Sequence, residues 1–399
     1  MDFRSMTAKI KRDLQLLPRL SGKSLFLFGP RATGKTSLIR EQLENDVLIV
    51  DLLKSQFFLP LSQNPNELAA MIRAASPKFV VIDEIQKLPI LLDEIHSLIE
   101  TTDIHFLLTG SSARRLKKQN ANMLGGRASK VSLYPLTWFE LNRENKFDLD
   151  RYVQFGSLPR IYFSHQPAEE LFDYVDVYLK DEILSEAVVR NLPAFSRFLK
   201  TAALCSGEIL NYSSLASDVG LSANTIREYF AILDDTLLGF QLPPWKGAKN
   251  RKSVAKAKHY LFDCGVLNTL SGTKTVERNS NIYGTCFEHF IINEVKAYNS
   301  YRRKHWDLSF WRTEHAVEVD LIINDQIAIE IKSTKTVTQK MKHGLELIAD
   351  EGSWRMRLLV TQDPIEKIDD NGLQMLHFSK FLELLWGGGL DQAAADSKT

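Results

Sequence analysis

At 399 residues, 44% hydrophobic and 25% charged, the chain exceeds the usual size of one core and has the composition of an ordinary globular protein of two or three domains. Its formal net charge of +1 excludes a bulk electrostatic pull toward nucleic acid or membrane, so any such affinity must come from local clustering. No apolar stretch approaches a membrane span, and the first twenty residues lack the apolar run of a signal peptide. Cys205, Cys264 and Cys286 have neither metal-ligand nor CxxC spacing, which implies a reducing, cytoplasmic setting in which they are small apolar core residues.

The first third alternates helical stretches with short apolar runs at Ser24 to Phe28, Val47 to Leu52, Phe79 to Ile82, Ile104 to Leu108 and Val131 to Leu133. That rhythm predicts an α/β domain over 1–149, a mostly parallel sheet with helices on both faces. After the first run comes Gly29-Pro30-Arg31-Ala32-Thr33-Gly34-Lys35-Thr36, then Ser37 and a helix. The pattern is a complete phosphate loop in its required strand-to-helix context. Its glycines let the backbone wrap phosphate oxygens, and the N–H groups at the helix start point at negative charge. Lys35 is expected to hold the β- and γ-phosphates of ATP, and Thr36 to offer its hydroxyl to Mg²⁺.

Four apolar residues, Phe79 to Ile82, lead into Asp83 and Glu84. Asp83 is the expected second anchor of the Mg²⁺, and Glu84 the group that orients and deprotonates the attacking water. The run Ile104 to Leu108 ends in Thr109-Gly110-Ser111-Ser112, where Thr109 or Ser111 is a candidate γ-phosphate sensor; a plain turn with a helix cap is the alternative.

With these parts present, Leu25 to about Leu141 resembles an AAA-type ATPase module. The stretches Asp83-Glu84-Ile85-Gln86-Lys87-Leu88-Pro89, Leu124-Gly125-Gly126-Arg127 and Tyr134-Pro135-Leu136-Thr137 look like those of a widespread prokaryotic AAA-type group. The resemblance implies a homo-oligomeric ring in which one subunit's arginine reaches the next subunit's ATP. Arg127 is the candidate, with Arg114 and Arg115 as competitors.

From 150 to 262 the pattern is mostly helical. Ser213 to Val219 and Ser222 to Leu238, joined at Gly220, predict a helix-turn-helix with Ser222 as N-cap. In such motifs the start of the second helix enters the major groove, which points to Asn224, Thr225 and Arg227 as DNA contacts. Lys246 to Lys258 carries six cations and no acid, a run expected to form a winged-helix tip that tracks DNA phosphates through Lys246, Lys249, Arg251 and Lys252. A helical lid on the ATPase module or a solvated loop is the alternative.

The segment 263–386 mixes strands and helices again, and 387–399 has the composition of a flexible tail. Glu318-Val319-Asp320-Leu321-Ile322-Ile323 is followed, after Asn324-Asp325, by Ile327-Ala328-Ile329-Glu330-Ile331-Lys332. Strand alternation sets Glu330 and Lys332 on one face, and a hairpin brings Asp320 near them. Two carboxylates and a lysine can hold Mg²⁺ or Mn²⁺ against a scissile phosphate and steady the developing charge. The pattern looks like a C-terminal restriction-endonuclease-like domain (the PD-(D/E)XK type), and that resemblance adds Glu288 as a further metal ligand. The chain is therefore expected to be an ATPase acting on DNA with a nuclease-like site. Its alternatives are an ATP-driven DNA- or protein-binding switch that does not cleave, and a P-loop protein whose partner is another protein.

Overall fold

A computed structural model describes residues 10–43, 46–112, 114, 116, 124–179, 191–249 and 254–395. Strands β1 (Ser24–Phe28), β2 (Val47–Asp51), β3 (Phe79–Asp83), β4 (His105–Gly110) and β5 (Ala128–Ser132) form one parallel sheet in the order β2-β3-β4-β1-β5. Its central strands are buried on both faces, which is why they are continuous apolar runs and not alternating ones. Leu25, Leu27, Val81 and Leu107 face one core, and Phe26, Phe28, Val80, Ile82 and Leu108 the other.

Helices Leu149–Phe155, Pro159–Tyr162 and Pro167–Asp173 follow this domain. The last of these helices changes at Tyr174 into a π-helical turn, Tyr174–Leu179. Helices Tyr212–Val219 and Ala223–Asp235 form the predicted helix-turn-helix. Gly220 sits at φ 73°, a left-handed turn position that suits glycine. The Ser222 hydroxyl accepts from Thr225 N at 3.1 Å as the N-cap. A hairpin of β6 (Gly239–Leu242) and β7 (Lys258–Leu261) completes the module.

The last domain carries helix Asn281–Tyr301 and six strands, β8 (Leu308–Arg312), β9 (Glu318–Ile323), β10 (Ile327–Ile331), β11 (Met356–Thr361), β12 (Lys367–Ile368) and β13 (Leu373–His377). Their order is β12-β13-β11-β10-β9-β8, with β8, β9 and β10 antiparallel neighbours and β10 parallel to β11. The turn between β9 and β10 places both Asn324 (φ 49°) and Asp325 (φ 57°) in the left-handed region and is closed by Gln326 N donating to Ile323 O at 3.0 Å. Helix Gln339–Leu347 lies so close to β9 that a Cβ on Gly344 would stand 2.2 Å from the Glu318 carbonyl.

Two expectations are corrected here. The connection between β6 and β7 is not a free wing tip, because its described part is laid along the edge strand β8. Phe310 N donates to Pro243 O at 3.0 Å, Trp245 N to Phe310 O at 2.6 Å and Val254 N to Arg312 O at 2.9 Å. Covering the edge satisfies its open hydrogen-bonding groups, and Trp245 anchors it by burying against Trp354 and donating to Asp325 Oδ1 at 2.7 Å. Residues 387–395 are also docked and not loose: Leu390 and Ala394 are fully buried, and Asn324 Nδ2 donates to Ala394 O at 2.8 Å. Among the described residues no helix is long and apolar enough to cross a membrane.

Candidate nucleotide site and carboxylate cluster

The phosphate loop connects β1 to helix Lys35–Gln42. A Cβ on Gly29 would meet the Leu133 carbonyl at 2.5 Å, and Gly34 takes φ 94°, so both glycines are required by the path of the loop. Thr33 Oγ1 donates to Pro30 O at 2.9 Å, and Lys35 Nζ is folded into the loop, donating to Gly29 O at 2.6 Å and Pro30 O at 3.1 Å. Arg31, Ala32, Gly34, Lys35, Thr36 and Ser37 open onto a cavity of about 1190 Å³ that Glu84 also lines. Its opposite wall is Pro159, Ile161, Phe163 and Tyr174 from the helices after the sheet.

β3 and β4 end side by side below this cavity. The Thr109 hydroxyl donates to Asp83 Oδ1, and Glu84 N donates to the same hydroxyl at 3.4 Å. Glu84 turns into the left-handed region at φ 63°, a conformation that costs a non-glycine residue energy and aims its side chain away from the strand direction. Gln86 Nε2 holds Glu84 Oε2 at 2.5 Å and donates to Ser111 Oγ at 3.2 Å. Gln86 stands in the quoted motif, but a glutamine two residues past the acids gives no chemical signal of its own.

Arg12 was equally hidden. This residue, 5% exposed, pairs with Glu140 at 3.0 Å and donates to the carbonyls of Thr33 (2.7 Å) and Tyr134 (2.7 Å) and to the Tyr301 hydroxyl (3.3 Å). Burial works against its charge, but Glu140 and Tyr301 outweigh that, and the guanidinium pKa is raised. A lone arginine before the first strand reveals none of these contacts.

The arginine candidates are differently placed. Arg127 precedes β5, at the end of the sheet away from the phosphate loop, and pairs with Glu100. Arg114 pairs with Asp235 and donates to Ala231 O at 3.4 Å, so it ties the first domain to the helix-turn-helix. Arg115 lies outside the described residues.

At the helix-turn-helix, Asn224 and Arg227 are exposed and Thr225 half-buried. The Arg227 guanidinium lies 5.2 Å from the Tyr212 ring centroid. Lys246 and Lys249 are exposed on the segment along β8, while Arg251 and Lys252 lie outside the described residues.

In the C-terminal domain, Glu288, Asp320, Glu330 and Lys332 come together. Lys332 Nζ lies 3.3 Å from Asp320 Oδ2 and 2.5 Å from Glu330 Oε1, and Ile331 N donates to Asp320 Oδ2 at 2.8 Å. A fifth residue enters from β7. Lys258, the last cation of the basic run, is buried; its Nζ contacts Glu318 Oε1, and lies 3.2 Å from Glu288 Oε1 and 3.9 Å from Asp320 Oδ1. Tyr260, two residues on and therefore on the same face of β7, donates to Glu288 Oε1 at 2.6 Å. Arg312 Nη1 holds Glu318 Oε2 at 3.0 Å, so Glu318 belongs to the cluster.

The pKa shifts follow this arrangement. Burial pushes the Glu330 carboxyl well up, with the Asp320 charge adding to it, and burial likewise raises Glu288. Asp320 is buried too, but Lys332, Lys258 and the Ile331 amide outweigh that and hold it low. Both lysines keep their protons because the carboxylates overcome burial. Among the described residues no group of three or more His, Cys, Asp and Glu side chains is arranged to hold a metal ion. The oxygens of Glu288 and Asp320 that a metal would use face ammonium groups.

Residues 21–142 match the family model described as AAA domain, residues 146–277 one described as Domain of unknown function (DUF8612), and residues 283–381 one described as Domain of unknown function (DUF4143). An uncharacterized protein of Mycobacterium tuberculosis is 25% identical over 360 residues, spanning 86% of this chain and 77% of that one. An uncharacterized protein of Methanocaldococcus jannaschii is 24% identical over 380 residues, spanning 80% and 78%. Among solved structures, the Aeropyrum pernix ORC1 protein in complex with DNA gives a TM-score of 0.28 at 13% identity, over 63% of this chain and 86% of that chain. The replication initiator DnaA bound to AMPPCP and single-stranded DNA gives 0.29 at 14%, over 55% and 84%. At those scores neither likeness bears on function. The phosphate loop, the five-stranded parallel order and the family match agree that residues 21–142 form an AAA-type P-loop domain.

Proposed function

We propose that this chain is an ATP-hydrolysing, DNA-binding switch whose C-terminal domain does not cut. The observation that carries the ATP half is the shared cavity, lined on one side by the phosphate loop and Glu84 and on the other by the helices that follow the sheet. Lys35 would exchange its bonds to Gly29 and Pro30 for phosphate oxygens. Thr36 and Asp83 fit a Mg²⁺ ion, which would neutralise phosphate charge. Glu84, held by Gln86, would orient the water and take its proton.

DNA binding is supported by the capped second helix with exposed Asn224 and Arg227 at its start. Arg114 gives the nucleotide domain a direct hold on that helix through Asp235. In a ring of copies, Arg127 could act on a neighbour's ATP only after leaving Glu100.

Glu288, Asp320 and Glu330 do not fit a metal ion as they stand, because Lys258 and Lys332 hold them. We therefore route no cleavage step through that site. The second reading, metal-dependent cleavage, is favoured by the succession of helix, three antiparallel strands, helix and parallel strand around those residues.

The test is nucleotide binding and turnover in the full chain, with and without duplex DNA. Lys35→Ala is expected to lose nucleotide binding, and Glu84→Gln to bind but stall. Normal turnover in Glu84→Gln refutes the assigned base, and a turnover rate and assembly state indifferent to DNA refute the switch. Mg²⁺-dependent strand breaks that vanish in Asp320→Ala would establish the second reading.

A further inference from the structure

Away from the phosphate loop and the carboxylate cluster, a cavity of about 620 Å³ opens where the three parts of the chain meet. One wall is Ser129 and Lys130 of β5 with Tyr134 just past it, and another is Phe240 of β6. The third is the C-terminal half of helix Asn281–Tyr301, with Lys296, and the connection through Trp306 to β8. That volume is within the range that takes a whole small molecule.

The charge on this lining is one-sided. Lys130, Lys296, Arg303 and His305 line the cavity, and Asp307 is the only acid among the described residues that do. Arg303 Nη2 donates to Ser129 Oγ at 3.2 Å, which fixes the guanidinium against β5. Lys296 is the informative member. It stands between the buried Val295 and Ala297, and its Nζ lies 3.3 Å from the centroid of the Phe240 ring. Among the described residues the ammonium has neither an ion pair nor a hydrogen bond. Asp234, the carboxylate whose field reaches it, is bonded instead to Gln241 Nε2 at 2.7 Å. Burial therefore pushes the lysine down to about 7, against the weaker pull of Asp234. An aromatic face replaces a carboxylate only in part, so a desolvated ammonium in this position is left open to an anion. Packing alone does not require the charge, since methionine would fill the same space.

The chemistry of the lining selects the anion. A phosphate monoester carries about −1.5 to −2 charges near neutral pH and three acceptor oxygens, whereas a diester of the nucleic-acid backbone carries a single charge. The doubly charged group better offsets the cost of keeping Lys296 protonated in a partly dry cavity. Tyr134 and Trp306 add flat apolar surface for an organic part.

We propose that this cavity binds a small aromatic phosphomonoester, its phosphate held by Lys296 and Arg303 and its ring set against Tyr134 and Trp306. Such a ligand touches the nucleotide domain, the helix-turn-helix module and the C-terminal domain at once. It is bound without reaction, and the site is independent of the phosphate loop.

The experiment titrates phenyl phosphate into the full chain carrying Lys35→Ala, which silences the phosphate loop, and reads the heat of binding. Binding with a Kd at or below about 1 mM is expected. Adding Lys296→Met, or separately Arg303→Gln, should weaken it about tenfold or more, and the diester phenyl methyl phosphate should bind the parent chain about tenfold or more weakly than the monoester. No binding in that concentration range overturns the proposal, and so does unchanged binding in either variant. A diester that binds as well as the monoester overturns it in favour of a nucleic-acid backbone. Because Lys296→Met removes an ammonium without a hydrogen bond, its thermal midpoint should equal or exceed the parent's. A Lys296→Met chain that fails to fold would make the charge a structural necessity and would also overturn the proposal.

Discussion

Replacing Arg12 with methionine removes one guanidinium from a place where it is bonded to three segments at once. Glu140, fully buried, loses its charge partner but keeps two backbone donors, Asp13 N at 2.8 Å and Thr137 N at 3.0 Å. Breaking one side of a buried ion pair costs about 3–5 kcal/mol, and the two retained amide bonds offset about 1–2 of that. The expected loss is about 1–4 kcal/mol, read as a lower urea midpoint of the transition that unfolds the nucleotide domain. Because the Thr33 carbonyl loses a charged donor, binding of a non-hydrolysable ATP analogue should weaken by about tenfold. Adding Glu140→Gln removes the stranded charge, so the double variant should recover stability relative to Arg12→Met. An Arg12→Met chain within about 0.5 kcal/mol of wild type, or a double variant that loses the sum of the two single losses, refutes the reasoning.

Two further outcomes follow from other buried sites. Gly156→Ala should destabilise by roughly 2–5 kcal/mol and abolish cooperative unfolding of the helices around it. Gly156 takes φ 71°, and an added Cβ would stand 2.0 Å from Oδ1 of Asp263, the cap of helix Cys264–Ser271. Wild-type thermal stability in that variant would be the contrary result. Glu294 accepts from Trp138 N at 2.6 Å and Trp386 Nε1 at 2.8 Å, and burial pushes its carboxyl up to about 8. The folded chain therefore keeps a proton that the unfolded chain has lost, so this contribution to stability is greatest in acid and falls as pH rises to about 8. Compared with Glu294→Gln, wild type should lose up to about 1.4 kcal/mol per pH unit between about pH 5 and pH 8. Parallel pH curves for the two would contradict it.

The phosphate loop, the Asp83-Glu84 pair and the Ser222 cap were legible in the sequence because each is a local pattern, fixed by neighbours within a few residues. The hairpin that gathers Asp320, Glu330 and Lys332 was legible for the same reason, through strand alternation across the Asn324-Asp325 turn. Lys258 was not. In the sequence it closes a run of exposed cations, and only pairing with Leu242 and Ile209 turns its side chain inward. The basic run is therefore divided between an exposed edge segment and a buried ammonium. The contacts of Arg12 and Arg114 were not legible because their partners, Glu140 and Asp235, lie more than a hundred residues away. The docking of residues 387–395 was hidden by composition, because buried Leu390 and Ala394 and the bonds of Asp391 to Tyr298 and Lys304 depend on distant partners.

Helix Asn281–Tyr301 has Glu288 near one end, in the carboxylate cluster, and Tyr301 at the other, bonded to Arg12 beside the phosphate loop. The stretch from Glu288 to Tyr301 is about 20 Å of continuous helix, and a helix transmits a tilt along its length with little bending. Pivoting that rod by about 10° at Tyr301 would carry Glu288 about 3.5 Å, farther than the span of one hydrogen bond. A tilt of that helix would thus be felt where Lys258 meets its acids, giving the phosphate loop and the carboxylate cluster a common lever arm.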